Sequence, residues 1–351
     1  MAVDDIDLGF LGALCEADGV SGREDAVNAI LHARLADSAD SVRVDAVKNI
    51  HFVRKGDGSG PKVMLAAHTD EIGFLVFNID DDGFISLAPL GGWTAENMIG
   101  HAVRIHTRKG GVLPGVVQRR AAWLPEHQNR ALRLDELYID TGMKKDDVVR
   151  EISRGDWVSM STPFTRIGNC LLGKAFDDRV GVFVMAEAFR RFRNERIEVH
   201  AVGTSQEEVG LRGSTVAAQD VRPDIAIAID VTGAGDIPEA PPRLRIARLG
   251  DGVAVKYMDG SVISSPELVE FTRGLAEEAG IDHQMEILLA GGTDTSSMQK
   301  WGAGPHAICL SVPNRYGHGP GSVIHSHDAE TAIELLTLML DRLDGFEPPG
   351  S

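Results

Sequence analysis

The chain has 351 residues, of which 43% are apolar and 25% charged, enough for a hydrophobic core in one large domain with a smaller one beside it. Its net charge of −17 excludes nucleic acid and anionic membranes as partners, because both need a basic surface. No apolar run reaches the roughly 18 residues of a membrane span. The acid-rich N-terminus lacks the basic residues of a targeting signal, so a cytoplasmic location is expected. Three cysteines without metal-ligand spacing (Cys15, Cys170 and Cys309) predict no disulfide framework.

The first part of the chain combines helical and strand patterns. A helix at the start is followed by a second one over 22–36, for which Ser21 is the predicted N-cap and Glu24 its capping-box partner. Strands are predicted at 43–47, 51–54 and 63–67. The last of these is entirely apolar, which is typical of a strand buried on both faces of an α/β sheet.

The segment 74–164 has a different sequence pattern. Four strands with turn signals between them are predicted at 74–78, 84–87, 103–106 and 112–117, and one short helix at 144–153. Short strands at this spacing are typical of a small barrel. We therefore expect an inserted β module.

After residue 165 the α/β pattern returns. Helices are predicted at 177–192, 266–279 and 328–343, and strands at 198–203, 224–230 and 307–312. The predicted fold class is α/β, with a central mixed sheet and helices on both faces. This catalytic domain would comprise 1–73 and 165–351, interrupted by the β-barrel-like insert at 74–164.

Acids and histidines stand near five predicted strand or helix ends, where open α/β sheets build their sites. They are His68, Asp177, the pair Glu207-Glu208, Asp230 and His318. If these ends converge, the carboxylates repel one another unless cations neutralise them. Imidazole and carboxylate ligands without cysteine suit two zinc ions, with cobalt or manganese as alternatives, and such a pair supports hydrolysis. One member of the glutamate pair could act as general base while the other binds metal.

Five motifs in chain order carry a resemblance to a known family. They are HTDEIG at 68–73, GKAFDDRVG at 173–181, QEEVG at 206–210, GGTD at 291–294 and RYGH at 315–318. Together they resemble the signatures of the tetrahedral aminopeptidases, the di-metal peptidases of metallopeptidase family forty-two, which include glutamyl and deblocking aminopeptidases. The resemblance covers nearly the whole chain from about Ser21.

The resemblance implies a role for each motif residue. His68 and Asp230 would hold one metal ion, Glu208 and His318 the other, and Asp177 would bridge them. The general base would be Glu207, and Asp70 would orient His68. The family also implies a cis peptide after Asp177, short peptides as substrates, dimerisation through 74–164 and assembly of dimers into a tetrahedral dodecamer.

Two departures from the family pattern lie beside ligands. Asp178 stands where the family usually has Asn, and Gly319 where it usually has Ser. Two further histidines, His325 and His327, follow His318; motif alignment favours His318 as the ligand. His127, in the insert, is a candidate to reach a neighbouring subunit's site.

Other functions stay open at this level. A related di-metal deacylase or carboxypeptidase shares the core, although its extra domain usually comes later in the chain. A glycoside hydrolase is disfavoured because adjacent residues of an extended chain, such as the glutamate pair, point to opposite sides. Arg179, Arg212 and Arg315 are candidates to bind an acidic N-terminal residue.

Overall fold

The computed structural model describes residues 6–121 and 130–347. The helices in these ranges are α1 (Leu8–Glu16), α2 (Asp25–Leu35), α3 (Lys145–Glu151), α4 (Phe176–Arg191), α5 (Arg212–Val221), α6 (Pro266–Ala279), α7 (Asp294–Met298) and α8 (Ser326–Arg342). The first nine strands are β1 (Ser41–Val44), β2 (Ile50–Arg54), β3 (Lys62–His68), β4 (Gly73–Ile79), β5 (Ile85–Leu90), β6 (Ala102–His106), β7 (Val112–Arg119), β8 (Leu137–Asp140) and β9 (Trp157–Met160). The remaining strands are β10 (Thr165–Ile167), β11 (Cys170–Gly173), β12 (Glu198–Thr204), β13 (Ile225–Gly233), β14 (Val253–Met258), β15 (His283–Ile287), β16 (His306–Arg315) and β17 (Ser322–His325).

Eleven strands form one large mixed sheet. Nine follow the order β1-β2-β12-β3-β13-β16-β17-β11-β10, and β14 joins β16 and carries β15 on its other side. The four central strands β12, β3, β13 and β16 run parallel. Their carboxyl ends therefore lie along one edge of the sheet, where sites of open α/β folds are built.

Helices cover both faces of this sheet, as its apolar strands require. In β3, Val63, Leu65 and Ala67 pack into the core that includes α4 and α8, while Met64 and Ala66 pack on the opposite face with residues of α5 and α7. Alternate residues of a strand point to opposite faces, so both faces of this strand are buried. The predicted α/β fold class with helices on both faces is confirmed.

Six strands outside the large sheet close into a barrel in the order β4-β5-β8-β7-β6-β9. Its interior is filled by apolar side chains that alternate along the strands, among them Phe74, Ile105, Ile139 and Val158. The predicted barrel is thus present. The domain limits at 74 and 164, and dimerisation as the role of the insert, stay predictions.

A partly buried ionic junction joins the barrel to the segment between α1 and α2. The carboxylate of Asp18 accepts hydrogen bonds from Arg104 Nη2 at 2.6 Å and Ser159 Oγ at 2.8 Å, both on barrel strands. His106 Nε2 lies 3.3 Å and Lys174 Nζ 3.4 Å from the same carboxylate. Burial opposes ionisation of Asp18, but its donors and cations, led by the His106 hydrogen bond, hold the pKa of this carboxyl well below its ordinary value.

The predicted N-cap of the second helix was wrong. The helix α2 begins at Asp25, and Ser21 makes no capping bond to it. Instead Ser21 Oγ donates to Asp70 Oδ2 at 2.6 Å. Glu24 occupies the N-cap position, so Ser21 lies too far from the helix to cap it, and its hydroxyl binds the buried carboxylate of Asp70.

The strand predicted at 43–47 lies earlier in the chain, at Ser41–Val44. It ends at Val44, because the side chain of Asp45 accepts from the backbone N–H groups of Val47 and Asn49, each at 3.0 Å. An aspartate that binds backbone donors two and four residues on forms a turn.

The cysteines and the helices bear on two further expectations. All three cysteines are free in this structure. Among the helices of 6–121 and 130–347, none is both long enough and apolar enough to span a membrane.

Candidate metal centre

The register of the parallel strands brings four of the predicted residues to one edge of the sheet. Thr204 at the end of β12 pairs with His68 at the end of β3, so the loop carrying Glu207 and Glu208 begins level with His68. Ala228 of β13 pairs with Ala66 of β3, and two residues further on the chains reach Asp230 and His68. The cluster is therefore a consequence of strand pairing.

The first group of possible ligands consists of His68, Asp177 and Asp230, whose ligand atoms all lie within 4.8 Å of one another. His68 Nε2 is 3.0 Å from Asp177 Oδ1. The other ring nitrogen of His68 lies 3.1 Å from the backbone oxygen of Asp70 and 3.5 Å from its carboxylate. A histidine held in this way through Nδ1 presents Nε2 to a metal.

The second group consists of Asp177, Glu208 and His318, again with ligand atoms within 4.8 Å. His318 Nε2 lies 3.4 Å from Asp177 Oδ2 and 3.9 Å from Glu208 Oε2. The Nδ1 atom of His318 is 2.9 Å from the backbone oxygen of Gly92, which follows barrel strand β5. The two groups share Asp177, and the barrel contributes to the orientation of His318.

An unusual turn at the start of α4 positions Asp177, the residue that belongs to both groups. The peptide bond between Asp177 and Asp178 is cis, as the resemblance implied, and neither residue has helical backbone angles. The buried carboxylate of Asp178 accepts from the backbone N–H of His68 and of Gly181, each at 3.1 Å. This residue therefore links the turn to the end of β3, and its acceptors are both used.

Two buried carboxylates hold the loop that carries the glutamate pair. Asp70 Oδ1 accepts from Glu207 N at 2.9 Å, and Asp70 Oδ2 from Glu208 N at 3.3 Å. Glu24 Oε1 accepts from Gln206 N at 3.2 Å. Three consecutive backbone N–H groups are thus bound by two side chains from distant parts of the chain.

The carboxylates of the cluster disfavour one another's charge. Burial, and then the charge of Asp177, raise the pKa of Glu208 well above its ordinary value. Burial raises the pKa of Asp230 to about 7 even though His68 opposes the shift. Burial also raises the pKa of Glu207 well above its ordinary value. The charge of His68 lowers this pKa, and the charge of Asp230 raises it. Such a concentration of acids in a buried space favours bound cations.

The donor set fits two divalent metal ions. It consists of imidazole nitrogens and carboxylate oxygens, with no cysteine within either group, which suits zinc, cobalt or manganese. Glu208 Oε1 is buried and has no hydrogen-bond partner among the described residues. A buried carboxylate oxygen without a donor is costly, and a metal ligand role would satisfy it.

A cleft of about 460 Å³ opens over the cluster. Glu207 lines this cleft together with His68, Asp177, Asp230 and His318, whereas Glu208 does not reach it. Its walls come from the ends of β13 and β16 and the residues that follow them, from β14, and from the segment after β15. They include Val231, Thr232, Ala234, Ile237, Lys256, Leu288, Ala290, Thr293, Asn314 and Tyr316, with glycines at 233, 291, 292 and 317.

All seven residues predicted for the site lie around the cluster, but several other candidates do not. His325 is the N-cap of α8, where it accepts from His327 N, and His327 Nε2 lies 2.9 Å from Asp282. His127 falls outside the described residues. The GGTD segment lies at the wall of the cleft, as the resemblance implied.

None of the three arginines proposed to bind an acidic substrate lines the cleft. Arg179 is fully buried and donates to three backbone carbonyls, and Arg315 pairs with Asp236 at 2.5 Å. Arg212 is exposed and contacts Gln206. The cation that does line the cleft, Lys256, was not predicted, because a single lysine in an apolar strand gives no sequence signal.

A mixed sheet whose parallel strands bring histidine and carboxylate side chains into two overlapping groups is typical of two-metal hydrolases. Comparison with known proteins gives the family. Residues 48–335 match the model of the M42 glutamyl aminopeptidases.

Relatives match along almost the whole chain. The lysyl aminopeptidase of Pyrococcus furiosus is 32% identical over 351 residues, covering 96% of this chain and 98% of its own. A TET aminopeptidase structure from a marine-sediment Thaumarchaeota archaeon is 33% identical with a TM-score of 0.92, covering 97% and 98% of the two chains. The TET1 peptidase of Pyrococcus horikoshii, described as assembling into a tetrahedron or a large octahedral shell, is 28% identical with a TM-score of 0.83 over 95% and 98%.

The chain therefore belongs to the M42 aminopeptidase family and is a peptide hydrolase. Members of this family are di-metal enzymes, and this chain has two candidate ligand groups. Family membership decides for the aminopeptidase over the deacylase, carboxypeptidase and glycoside hydrolase that the residues alone left open.

Proposed function

We propose that the cluster holds two divalent metal ions, with zinc as the natural metal, and removes N-terminal residues from short peptides. His68 and Asp230 would bind one ion, and Glu208 and His318 the other, with Asp177 shared. The two overlapping ligand groups support this division, because Asp177 belongs to both.

The catalytic roles follow from which side chains reach the cleft. When bound, the two metal ions would polarise the scissile carbonyl and lower the pKa of water. Glu207 would accept the proton of the attacking water and deliver it to the leaving amine. The observation that carries this assignment is that Glu207 lines the cleft, with Oε2 3.9 Å from His68 Nε2, while Glu208 is buried towards His318. Asp70 would hold both His68 and the backbone of the glutamate pair.

Metal content distinguishes the proposed roles of Glu207 and Glu208. Glu207→Gln should lower kcat by about 100-fold or more, the loss expected for a general base, with metal content near two per chain. Glu208→Gln should lose metal as well as activity, because it removes a ligand charge. Activity and metal content would be measured together, the latter by atomic emission. Loss of metal in Glu207→Gln with retention in Glu208→Gln would reverse the assignment.

Chelation tests the metal requirement itself. Dialysis against a chelator should abolish hydrolysis of an aminoacyl p-nitroanilide, and zinc or cobalt should restore it. Full activity in demetallated protein would refute the two-metal mechanism.

The histidine ligand can be tested against its neighbour. His318→Ala should lower metal occupancy, whereas His325→Ala, at the cap of α8, should leave it unchanged. The converse result would move the ligand to His325.

We also propose that the chain assembles as a homo-oligomer, with dimers formed through the barrel and a tetrahedral dodecamer built from them. The support is the assembly of the Pyrococcus horikoshii relative and the likeness of the two chains. Light scattering should give a mass near twelve subunits, and a stable monomer would refute the assembly. A cytoplasmic location remains a prediction of the sequence.

A further inference from the structure

The charges that face the cleft bear on which N-terminal residue the enzyme accepts, an inference that rests on the proposed function. Apart from the cluster of acids and histidines, the charged side chain among the described lining residues is Lys256. The other lining side chains are neutral. Because Lys256 is fully buried, the described wall outside the cluster offers neutral surface to a substrate's first side chain.

Lys256 is already paired below the surface of the cleft. Its Nζ lies 2.7 Å from Glu286 Oε1 and 3.7 Å from Asp259 Oδ2, and all three side chains are fully buried. Glu286 also accepts from Thr232 Oγ1 at 2.8 Å. Neither carboxylate lines the cleft, and the fully buried Lys256 is compensated by them out of reach of a substrate.

The pairing of Lys256 with Glu286 and Asp259 disfavours both acidic and basic side chains at the substrate's N-terminal residue. An acidic side chain would find no free cation on the described wall, because Lys256 is fully buried and paired with two carboxylates. A basic side chain would find Glu286 and Asp259 fully buried and already paired with Lys256. In both cases an ion would lose water without gaining an unpaired partner, which is unfavourable.

The neutral part of the wall suits an apolar side chain. Ile237, Leu288 and Ala290 present aliphatic surface, and Tyr316 stands at the rim with 60% of its surface exposed. Ile237 is 40% exposed and so retains apolar surface for a ligand to cover. Burial of such surface against an apolar side chain is the main favourable contribution available in the cleft.

We propose that this chain prefers peptides whose N-terminal residue has a neutral, apolar side chain, such as leucine or methionine. In this it would differ from relatives named for lysyl and glutamyl substrates. The walls formed by Ile237, Leu288 and Ala290 would bind the side chain, and charged side chains would be disfavoured because they find no unpaired partner on these walls.

A panel of p-nitroanilides of leucine, methionine, glutamate, lysine and arginine tests the preference on the metal-loaded enzyme. We expect kcat/KM for leucine and methionine to exceed that for each charged residue at least tenfold. A charged residue as the best substrate would overturn the proposed preference while leaving the aminopeptidase function intact. Hydrolysis of no member of the panel would instead count against the proposed function and the preference together.

A charge placed in the wall gives a second test. Ile237→Lys should raise the ratio of glutamate to leucine kcat/KM at least tenfold, because the new ammonium group has no carboxylate partner. Val216→Lys adds the same charge on α5 outside the cleft, at a residue 39% exposed, and should leave the ratio unchanged. An unchanged ratio in the folded Ile237→Lys enzyme, checked by thermal unfolding, would mean that this wall does not meet the substrate side chain and would overturn the proposal.

Discussion

Asp70→Asn is the sharpest single perturbation of the site that leaves every proposed metal ligand in place. The carboxylate of Asp70 is fully buried. Oδ1 accepts from Glu207 N, and Oδ2 accepts from Glu208 N and Ser21 Oγ. Asparagine keeps the shape but replaces one accepting oxygen with an NH2 group. In either orientation of the amide, one backbone N–H of the glutamate pair then faces a donor.

The size of the effect follows from that lost acceptor. A buried N–H without a partner costs about 1–3 kcal/mol of unfolding free energy. The catalytic effect should be separate, because the loop that carries Glu207 and Glu208 would move and His68 would lose a nearby negative charge. Loss of such a supporting partner lowers activity by about 10- to 100-fold, or about 1.4–2.8 kcal/mol of activation free energy.

A matched control separates stability from catalysis. Asp156 is also a buried carboxylate that accepts from two backbone N–H groups, Arg108 N at 3.0 Å and Ser153 N at 2.8 Å, but it lies in the barrel. Asp156→Asn should cost a similar free energy of unfolding in urea and leave kcat/KM within about twofold. If Asp70→Asn retained full kcat/KM and metal content, or if both variants lost activity equally, the positioning role of Asp70 would be refuted.

Three further changes test other parts of the structure. Gly181→Ala should destabilise the fold by about 1–3 kcal/mol and lower activity, because the new Cβ would lie 2.2 Å from Asp178 Oδ1 in the turn before α4. Lys256→Met should cost about 3–5 kcal/mol by leaving Glu286 buried and unpaired, and adding Glu286→Gln should recover part of it. Asp18→Asn should cost about 2 kcal/mol at neutral pH, the value of charge-assisted hydrogen bonds. Since the folded-state pKa of Asp18 is depressed, its stabilisation is complete above an unfolded-state pKa near 4, and the difference between wild type and variant should shrink as pH falls below about 4.

Urea unfolding at several pH values measures the free energy of unfolding of all three variants. For Gly181→Ala, kcat/KM is measured as well. Unchanged stability of Gly181→Ala would mean that the side chain of Asp178 can shift away from the new Cβ at no cost. A double variant no more stable than Lys256→Met would argue against the ion pair as the cause. A pH-independent difference for Asp18→Asn would show that its charge is not what ties the barrel to the α/β sheet.

Much of the fold could be predicted from local sequence. The apolar run at 63–67 identified a strand buried on both faces, and its residues indeed divide between two hydrophobic cores. The alternating pattern within 74–164 identified a barrel. Both follow from side-chain periodicity, which is a local property of the chain. Capping was less predictable, since Ser21 bonds to Asp70, 49 residues away, rather than to its own helix.

The candidate site, too, could be predicted from the sequence only in part. The residue types at His68, Asp177 and Asp230 already indicated metal ligands, and the motifs indicated the family. The bonds of Asp70 and Glu24 to the glutamate loop, the contact of the Gly92 carbonyl with His318 and the ion pair under the cleft were not visible in sequence.

Sequence by itself determined the class of chemistry, because ligand type and strand ends are local features. Tertiary structure decided which side chains reach the cleft and which are neutralised below it. Lys256 and Glu286 lie on β14 and β15, 30 residues apart, and only the pairing of these strands brings their charges together. The three arginines that sequence offered for substrate recognition lie elsewhere for the same reason: a charge acts through its distance in space to its partners, which position along the chain does not reveal.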